Sequence, residues 1–164
     1  MEKLKVNPFQ ETLNAGMCGP ASLKMVLDYY GINKSEQELS TMLNTNSELG
    51  TNLKDIKRVA EELNFKAEIQ NESSFDEINI WLNKKVPVIV DWFSRGLSNS
   101  SVSDGHYSLV IGLNNEHIYL LDPEIGAERV LKRDDFLRVW FDYEGLYPQK
   151  EEMIIRQLIA VYPN

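Results

Sequence analysis

Cysteine is nearly absent: Cys18 is the single one among 164 residues. No internal disulfide can form, and a zinc site built from several cysteines is excluded. Positive charge is also in deficit, with 17 Lys and Arg against 25 Asp and Glu, a formal charge of −8. Sequence-independent nucleic-acid binding needs a basic surface that displaces phosphate counterions, so nucleic acid is not an expected partner. Long apolar runs are missing as well. The longest, residues 86–93 and 107–113, are strand-sized and well short of the ~20 residues of a membrane helix. The N-terminus lacks the basic stretch and apolar core of a secretory signal, so the chain reads as cytoplasmic with no membrane span. No repeat is visible. The only biased stretch, residues 94–104, carries Ser94, Ser98, Ser100, Ser101 and Ser103 beside Gly96 and Asn99. It reads as a mobile loop, and its position directly before His106 suggests a lid.

What remains is an ordinary globular composition, 43% hydrophobic and 26% charged, expected to form one domain over residues 1–164. Pro20 fits the first turn of a helix that starts near Cys18, with Ala21, Met25, Val26 and Tyr29 on one face and Gly31 as its stop. Ser35 with Glu38, and Ser74 with Glu77, are capping-box patterns that open two further helices. Another helix follows Gly50-Thr51-Asn52, with Leu53, Ile56, Val59, Ala60 and Leu63 at helical intervals. From Pro87 the period changes to that of strands, at 87–93, 106–113, 117–122, 128–131 and 153–162, with a short helix around 134–140. Helices first and an antiparallel sheet afterwards is an α+β pattern.

A lone cysteine is either a small buried hydrophobe or a reactive thiol. Cys18 falls at a helix N-terminus, where unpaired N–H groups and the macrodipole favour an anion, and Gly16 and Gly19 would let the backbone approach a ligand closely. A thiolate nucleophile needs a base that later protonates a leaving amine. His106 stands next to the Ser-rich loop; His117 sits by the Asn114-Asn115 turn at the other end of the same hairpin and reads as a surface residue. Asp122, fixed by Pro123, lies at the His106 end and would orient the imidazole. This reading depends on register. The numbers of paired residues must sum to 228 or 230 for Asp122 and His106 to share a face, whereas a two-residue turn gives 229. A three-residue loop or a bulge is therefore required. Gln10, or else Asn14, is the candidate oxyanion donor beside the Cys18 N–H.

Gln10, Cys18 within Cys18-Gly19-Pro20-Ala21-Ser22, His106 and Asp122-Pro123 together resemble the papain-like cysteine peptidases, in particular the bacteriocin-processing, double-glycine-leader branch. Met25-Val26-Leu27-Asp28-Tyr29-Tyr30-Gly31, Gly50-Thr51-Asn52-Leu53, Val86-Pro87-Val88-Ile89 and His106-Tyr107-Ser108-Leu109-Val110 extend the similarity over most of the chain. The resemblance implies a papain-like fold and peptide-bond hydrolysis through an acyl-enzyme. Cys18 is then the nucleophile, His106 the base and acid, Asp122 the orienter and Gln10 the oxyanion donor, with no metal or cofactor and a peptide or protein as partner. The Gln10 to Cys18 spacing is longer than usual in that family, and Met17 replaces an acidic or polar residue. Two alternatives use the same fold: an acyltransferase of transglutaminase type, and a catalytically silent peptide-binding module. The acidic balance would suit neutral or basic peptides if it lay near the cleft, but also serves solubility alone. Trp92, Phe93 and Trp140 are candidates for a specificity pocket, or ordinary core beside a buried strand.

Overall fold

The helix signals act where the spacing places them. The computed structural model describes residues 1–95, 103–144 and 153–164, and in it α1 runs over Cys18–Tyr29 with Ala21, Leu23, Met25, Val26 and Leu27 fully buried. α1 is thus the central core helix. Ser35 and Ser74 both form reciprocal capping boxes, with Glu38 and Glu77, and start α2 (Glu36–Met42) and α4 (Phe75–Asn83). Such caps contribute about 1 kcal/mol each. Between them α3 (Leu53–Glu62) is capped by Asn52, whose side chain accepts from the Lys54 N–H at 2.9 Å.

The strands are β1 (Phe65–Gln70), β2 (Val88–Arg95), β3 (Ser103–Leu113), β4 (His117–Asp122) and β5 (Ala127–Lys132). After α5 (Arg133–Val139) come β6 (Phe141–Tyr143), β7 (Met153–Ile155) and β8 (Leu158–Pro163). Six of them form one antiparallel sheet in the order β1-β8-β2-β3-β4-β5, and β6 pairs with β7. α1 and α3 pack on one face through Leu23, Ile56, Ile89, Leu109 and Ile159; α4 and α5 pack on the other through Ile78, Val90, Trp92, Val110 and Phe136. The architecture is α+β. Among the described residues, no helix is long and apolar enough to cross a membrane.

Several expectations change. The first half is not purely helical: β1 lies between α3 and α4 and forms the sheet edge against β8. Its Phe65 and Ala67 are buried while Lys66 and Glu68 are exposed, an alternation too short to stand out between two helices. The expected strand over 153–162 is two strands, broken at Arg156, which takes φ +47°. The expected loop at 94–104 is in part a hairpin arm, because Ser94 pairs with Asp104 and Arg95 with Ser103. The proposed lid itself falls on residues 96–102, outside the described residues. Trp92 and Trp140 are core, at 3% and 1% exposure, and Phe93 stacks on Phe141.

The β3–β4 register meets the sequence requirement through a bulge. Next to the turn the pairs Leu113↔Ile118 and Gly112↔Tyr119 sum to 231, which would turn Asp122 away from His106. The register shifts between Val110 and Gly112, and Val110↔Leu120 and Leu109↔Leu121 sum to 230. The intervening Ile111 presents its carbonyl to the Leu4 N–H at 2.8 Å, so the N-terminal segment satisfies the group the bulge displaces.

Candidate active site

Cys18 is the first residue of α1, half-buried, with no side-chain cap on Met17 before it. The first-turn N–H groups therefore have no intrahelical acceptor and point towards whatever occupies the thiol's side. The flanking glycines do not open the backbone to a ligand, as their sequence context suggested. Gly16 takes φ +66°, and a Cβ there would lie 2.5 Å from the Asn46 carbonyl oxygen; a Cβ on Gly19 would lie 2.6 Å from Thr51 Cβ. Both are glycine because the 46–51 loop packs directly on the start of α1.

His106 lies within β3, paired with Trp92 on β2. The β3–β4 ladder stops at Leu109↔Leu121, and His106 and Asp122 face each other across the opening beyond it, with Nε2 2.6 Å from Oδ1. Cys18 lies close enough to the same imidazole to act on its ionisation. Asp122 is fixed on both oxygens: the Glu124 N–H donates to Oδ1 at 3.0 Å, and Arg129 Nε sits 2.9 Å from Oδ2 as an ion pair without the alignment of a hydrogen bond. Trp92 closes this cluster from beneath. Its ring meets His106 edge-on at 6.0 Å, its Nε1 donates to Ser108 Oγ at 3.0 Å, and the Arg129 guanidinium lies 5.7 Å above it.

Burial alone would push the His106 pKa down, but the hydrogen bonds and charges of Asp122 and Cys18 outweigh it and raise the value well above the usual range. For Asp122 burial acts upwards, and the bond and charge of His106, with Arg129, hold the carboxyl below its usual range. The two shifts have one meaning: a buried imidazolium–carboxylate pair is favoured beside the thiol. His106, Asp122 and Glu124 each bring one ligand atom within 4.8 Å of the others, which is the spacing of a metal site. With Nε2 engaged on Oδ1 and Oδ2 on Arg129, the set is arranged for holding a proton and not a cation.

Cys18, His106 and Asp122 are brought together. Gln10 is exposed and adjoins the turn after β4, its amide donating to the Glu124 carbonyl at 3.3 Å and its Cβ against Gly126. Asn14 is exposed at φ +58°. His117 lies at the far end of β4, partly exposed beside Glu116. Three carboxyls near the site escaped the sequence reading. Glu11 donates its backbone N–H to the Pro123 carbonyl and has a half-buried side chain; burial raises its pKa to about 7, against the opposing charge of His106. Asp91 is buried on β2, and burial together with the charge of Asp142 of β6 raises its pKa well above the usual range, with Cys18 adding to the rise and His106 opposing it. No local pattern marks these residues; Asp104-Gly105-His106 holds an indirect signal, since the Asp142 carboxylate fills the space a Cβ at Gly105 would need.

Known proteins match this chain in sequence and in fold. Residues 8–151 match the family model of the Peptidase C39 family. The lactococcin transport/processing ATP-binding protein LcnC-like of Lactococcus lactis subsp. lactis (strain IL1403) is 27% identical over 139 residues, 84% of this chain and 18% of that protein. The chain thus spans about a fifth of the length of such relatives. Two solved structures share the fold. The peptidase domain of Streptococcus ComA, a bi-functional ABC transporter, superimposes with TM-score 0.67 at 22% identity, over 96% of this chain and 99% of that one. A double glycine motif protease from an AMS/PCAT transporter, in complex with its leader peptide, gives TM-score 0.71 at 19% identity over 99% and 94%. The match over most of its length places this chain in the Peptidase C39 family, as a cysteine-type peptidase.

Proposed function

We propose that this protein is a cytoplasmic cysteine peptidase in which residues 1–164 act as one catalytic unit and Cys18, His106 and Asp122 form the triad. The observation that carries the reading is the convergence of three elements on one imidazole: the start of α1, β3 and the end of β4. His106 takes the Cys18 proton, and the thiolate sulfur attacks the scissile carbonyl carbon. The oxyanion is met by the Cys18 backbone N–H and by the Gln10 amide, which exchanges its long bond to Glu124 for the oxyanion. The imidazolium then protonates the leaving amine as the C–N bond breaks, leaving a thioester on Cys18. Water, deprotonated by His106, attacks the thioester carbon and releases the carboxylate product. Asp122 keeps the ring oriented and its charge compensated throughout.

The substrate class proposed is a leader-bearing peptide cut after a double glycine, on the strength of what the similar proteins are named for. The test is mass spectrometry of products from a peptide library that includes double-glycine leader sequences, with Cys18→Ala as control. Cleavage that is lost in the variant, concentrated after Gly-Gly, supports the proposal in full. Cleavage elsewhere removes the substrate class and keeps the peptidase. Amide products in place of acids when an amine is supplied would instead establish acyl transfer, and no Cys18-dependent product of either kind would leave a peptide-binding module.

A further inference from the structure

Arg129 has no part in the mechanism above, yet its guanidinium lies against two of the groups that make the site. The residue opposite Asp122 on β5 is Ala127; Arg129 stands opposite Leu120, one pair along on the same face. Such a diagonal separates the two backbones by roughly 7–8 Å, a span that a long side chain closes and a short one does not. Arg129 closes it, bringing Nε to 2.9 Å from Asp122 Oδ2. The Asp122 side chain is fully buried there and that of Arg129 is 22% exposed, so water and salt screen the pair weakly. Trp92, the cross-strand partner of His106, seats the guanidinium: its ring centre lies 5.7 Å below the Arg129 guanidinium carbon, and it meets His106 edge-on at 6.0 Å. Two cationic groups thus lean on one carboxylate. Oδ1 takes His106 Nε2 at 2.6 Å, and Oδ2 faces Arg129.

We propose that Arg129 is a positioning residue for the catalytic base, holding Asp122 with Oδ1 towards His106 and, through its own charge, opposing the pull of that carboxylate on the imidazole proton. This role rests on the reading of His106 and Asp122 as base and orienter. His106 must accept a proton from Cys18 and later release it to the leaving amine, and a ring held by an uncompensated buried carboxylate would be a poor acid. A fixed cation on the far oxygen moderates that hold, because each cation lowers the field that the carboxylate offers the other. The charge of Arg129 is among the causes that keep the Asp122 carboxyl below its usual range, the direction a cation beside Oδ2 demands. His106 feels Asp122 from β4, Cys18 from α1, Glu11 from the N-terminal segment and Asp91 from β2, and Glu124, in the turn after β4, brings a carboxylate oxygen within 4.8 Å of the His106 and Asp122 ligand atoms. Around Arg129 the groups are Asp122 and the Trp92 ring; its neighbour Glu128 points to the other face of the sheet, where Lys3 pairs with it at 2.7 Å.

The chain has two histidines, so His106 can be followed by NMR through pH with His117 as internal reference, and no substrate is needed. Arg129→Gln keeps the reach and a donor for Oδ2 and removes the charge; the His106 midpoint should rise by about 0.5–1 pH unit. Arg129→Lys keeps the charge and loses the planar guanidinium; the midpoint should stay at the wild-type value. The His117 midpoint should not move in either. A residue that only braced Asp122 would give the opposite sign in Arg129→Gln, because a loosened carboxylate holds the ring less. An unchanged or lowered His106 midpoint in Arg129→Gln, or a rise in Arg129→Lys as large as in Arg129→Gln, therefore overturns the proposal. In wild-type protein with isotope-labelled nitrogen, the Arg129 Nε–H resonance should shift through the His106 midpoint, and a resonance that stays flat there overturns the coupling whether or not the variants fold. Both readouts are independent of peptide cleavage, so failure of the peptidase reading would appear separately, as absence of Cys18-dependent products.

Discussion

Asp122→Asn isolates the charge of the orienting carboxylate, because the surroundings dictate how the amide must sit. Two donors, His106 Nε2 at 2.6 Å and the Glu124 N–H at 3.0 Å, hold Oδ1, so the amide oxygen stays on that side. The amide nitrogen is then turned to Arg129, which loses its 2.9 Å partner. A hydrogen bond to a charged group contributes about 1.5–3 kcal/mol, and one pKa unit corresponds to about 1.4 kcal/mol. The His106 midpoint, raised in the wild type, should thus fall by about 1–2 pH units in Asp122→Asn. The sign follows from linkage. His106 has a folded pKa above its unfolded value of about 6.5, so the stability it contributes is complete below about pH 6.5 and is lost as pH rises through the folded value. Wild-type protein should lose stability through the alkaline range in urea titrations, and Asp122→Asn should start lower and show a smaller further loss. Its alkaline limit of kcat/KM should move down with the NMR midpoint of His106. An alkaline limit that stays in place while the midpoint falls would refute the assignment of His106 as the ionising base, and an unmoved midpoint would refute the role given to the Asp122 charge.

Glu11→Gln removes a carboxyl that titrates at about 7 in the folded protein. Its raised value means that the folded state holds the proton more tightly than the unfolded chain, so wild-type stability falls as pH rises from about 4.5 to 7, and the variant should lack that component in denaturation curves. Gly16→Ala places a Cβ 2.5 Å from the Asn46 oxygen at φ +66°, and should cost about 1–3 kcal/mol, a Tm decrease of several degrees by calorimetry. Gly19→Ala meets Thr51 at 2.6 Å one residue after the nucleophile, so it should lower kcat more than its loss of stability explains, and Thr51→Gly in the same chain should recover part of kcat. Ser74→Ala deletes a capping box far from the site and should cost about 1 kcal/mol with kcat/KM unchanged.

Periodicity and caps were enough to locate α1 to α4, because each carries a signal within its own few residues: Pro20 in a first turn, two Ser/Glu boxes, Asn52 before Leu53. Two strands escaped among the described residues: Phe65–Gln70, an edge strand whose outward Lys66 and Glu68 dilute its apolar character, and Phe141–Tyr143, only three residues long. At the site, Cys18, His106 and Asp122 could be put forward from the sequence because they are distinct residue types suited to distinct roles, with Cys18 at the start of α1 and Asp122 at the end of β4. Gln10 was legible as a residue type only, and in the structure its amide rests on Glu124. Asp91 and Asp142 were not legible. They lie 51 positions apart, and nothing local distinguishes an acid placed beside the site from one facing water.

The β3–β4 register leaves the site half-written in the sequence. From the turn alone, Leu113↔Ile118 sends every later pair onto an odd sum, and Asp122 would point to the α1 and α3 face while His106 points to the other. A single extra residue, Ile111, reverses this, and it is held by a bond to Leu4 more than one hundred positions away. On the opposite face Thr51 performs the matching task. Its side chain limits how closely the residue after Cys18 can approach, and its carbonyl takes the hydroxyl of Tyr107, the residue after His106. The distance between nucleophile and base is therefore set by one loop residue that touches both of their neighbours, and the direction of the base relative to its orienter is set by a bulge. Neither device contains a catalytic side chain. Both fix geometry by backbone contact, where a displacement of about 1 Å is enough to lose most of the benefit of a pre-aligned pair.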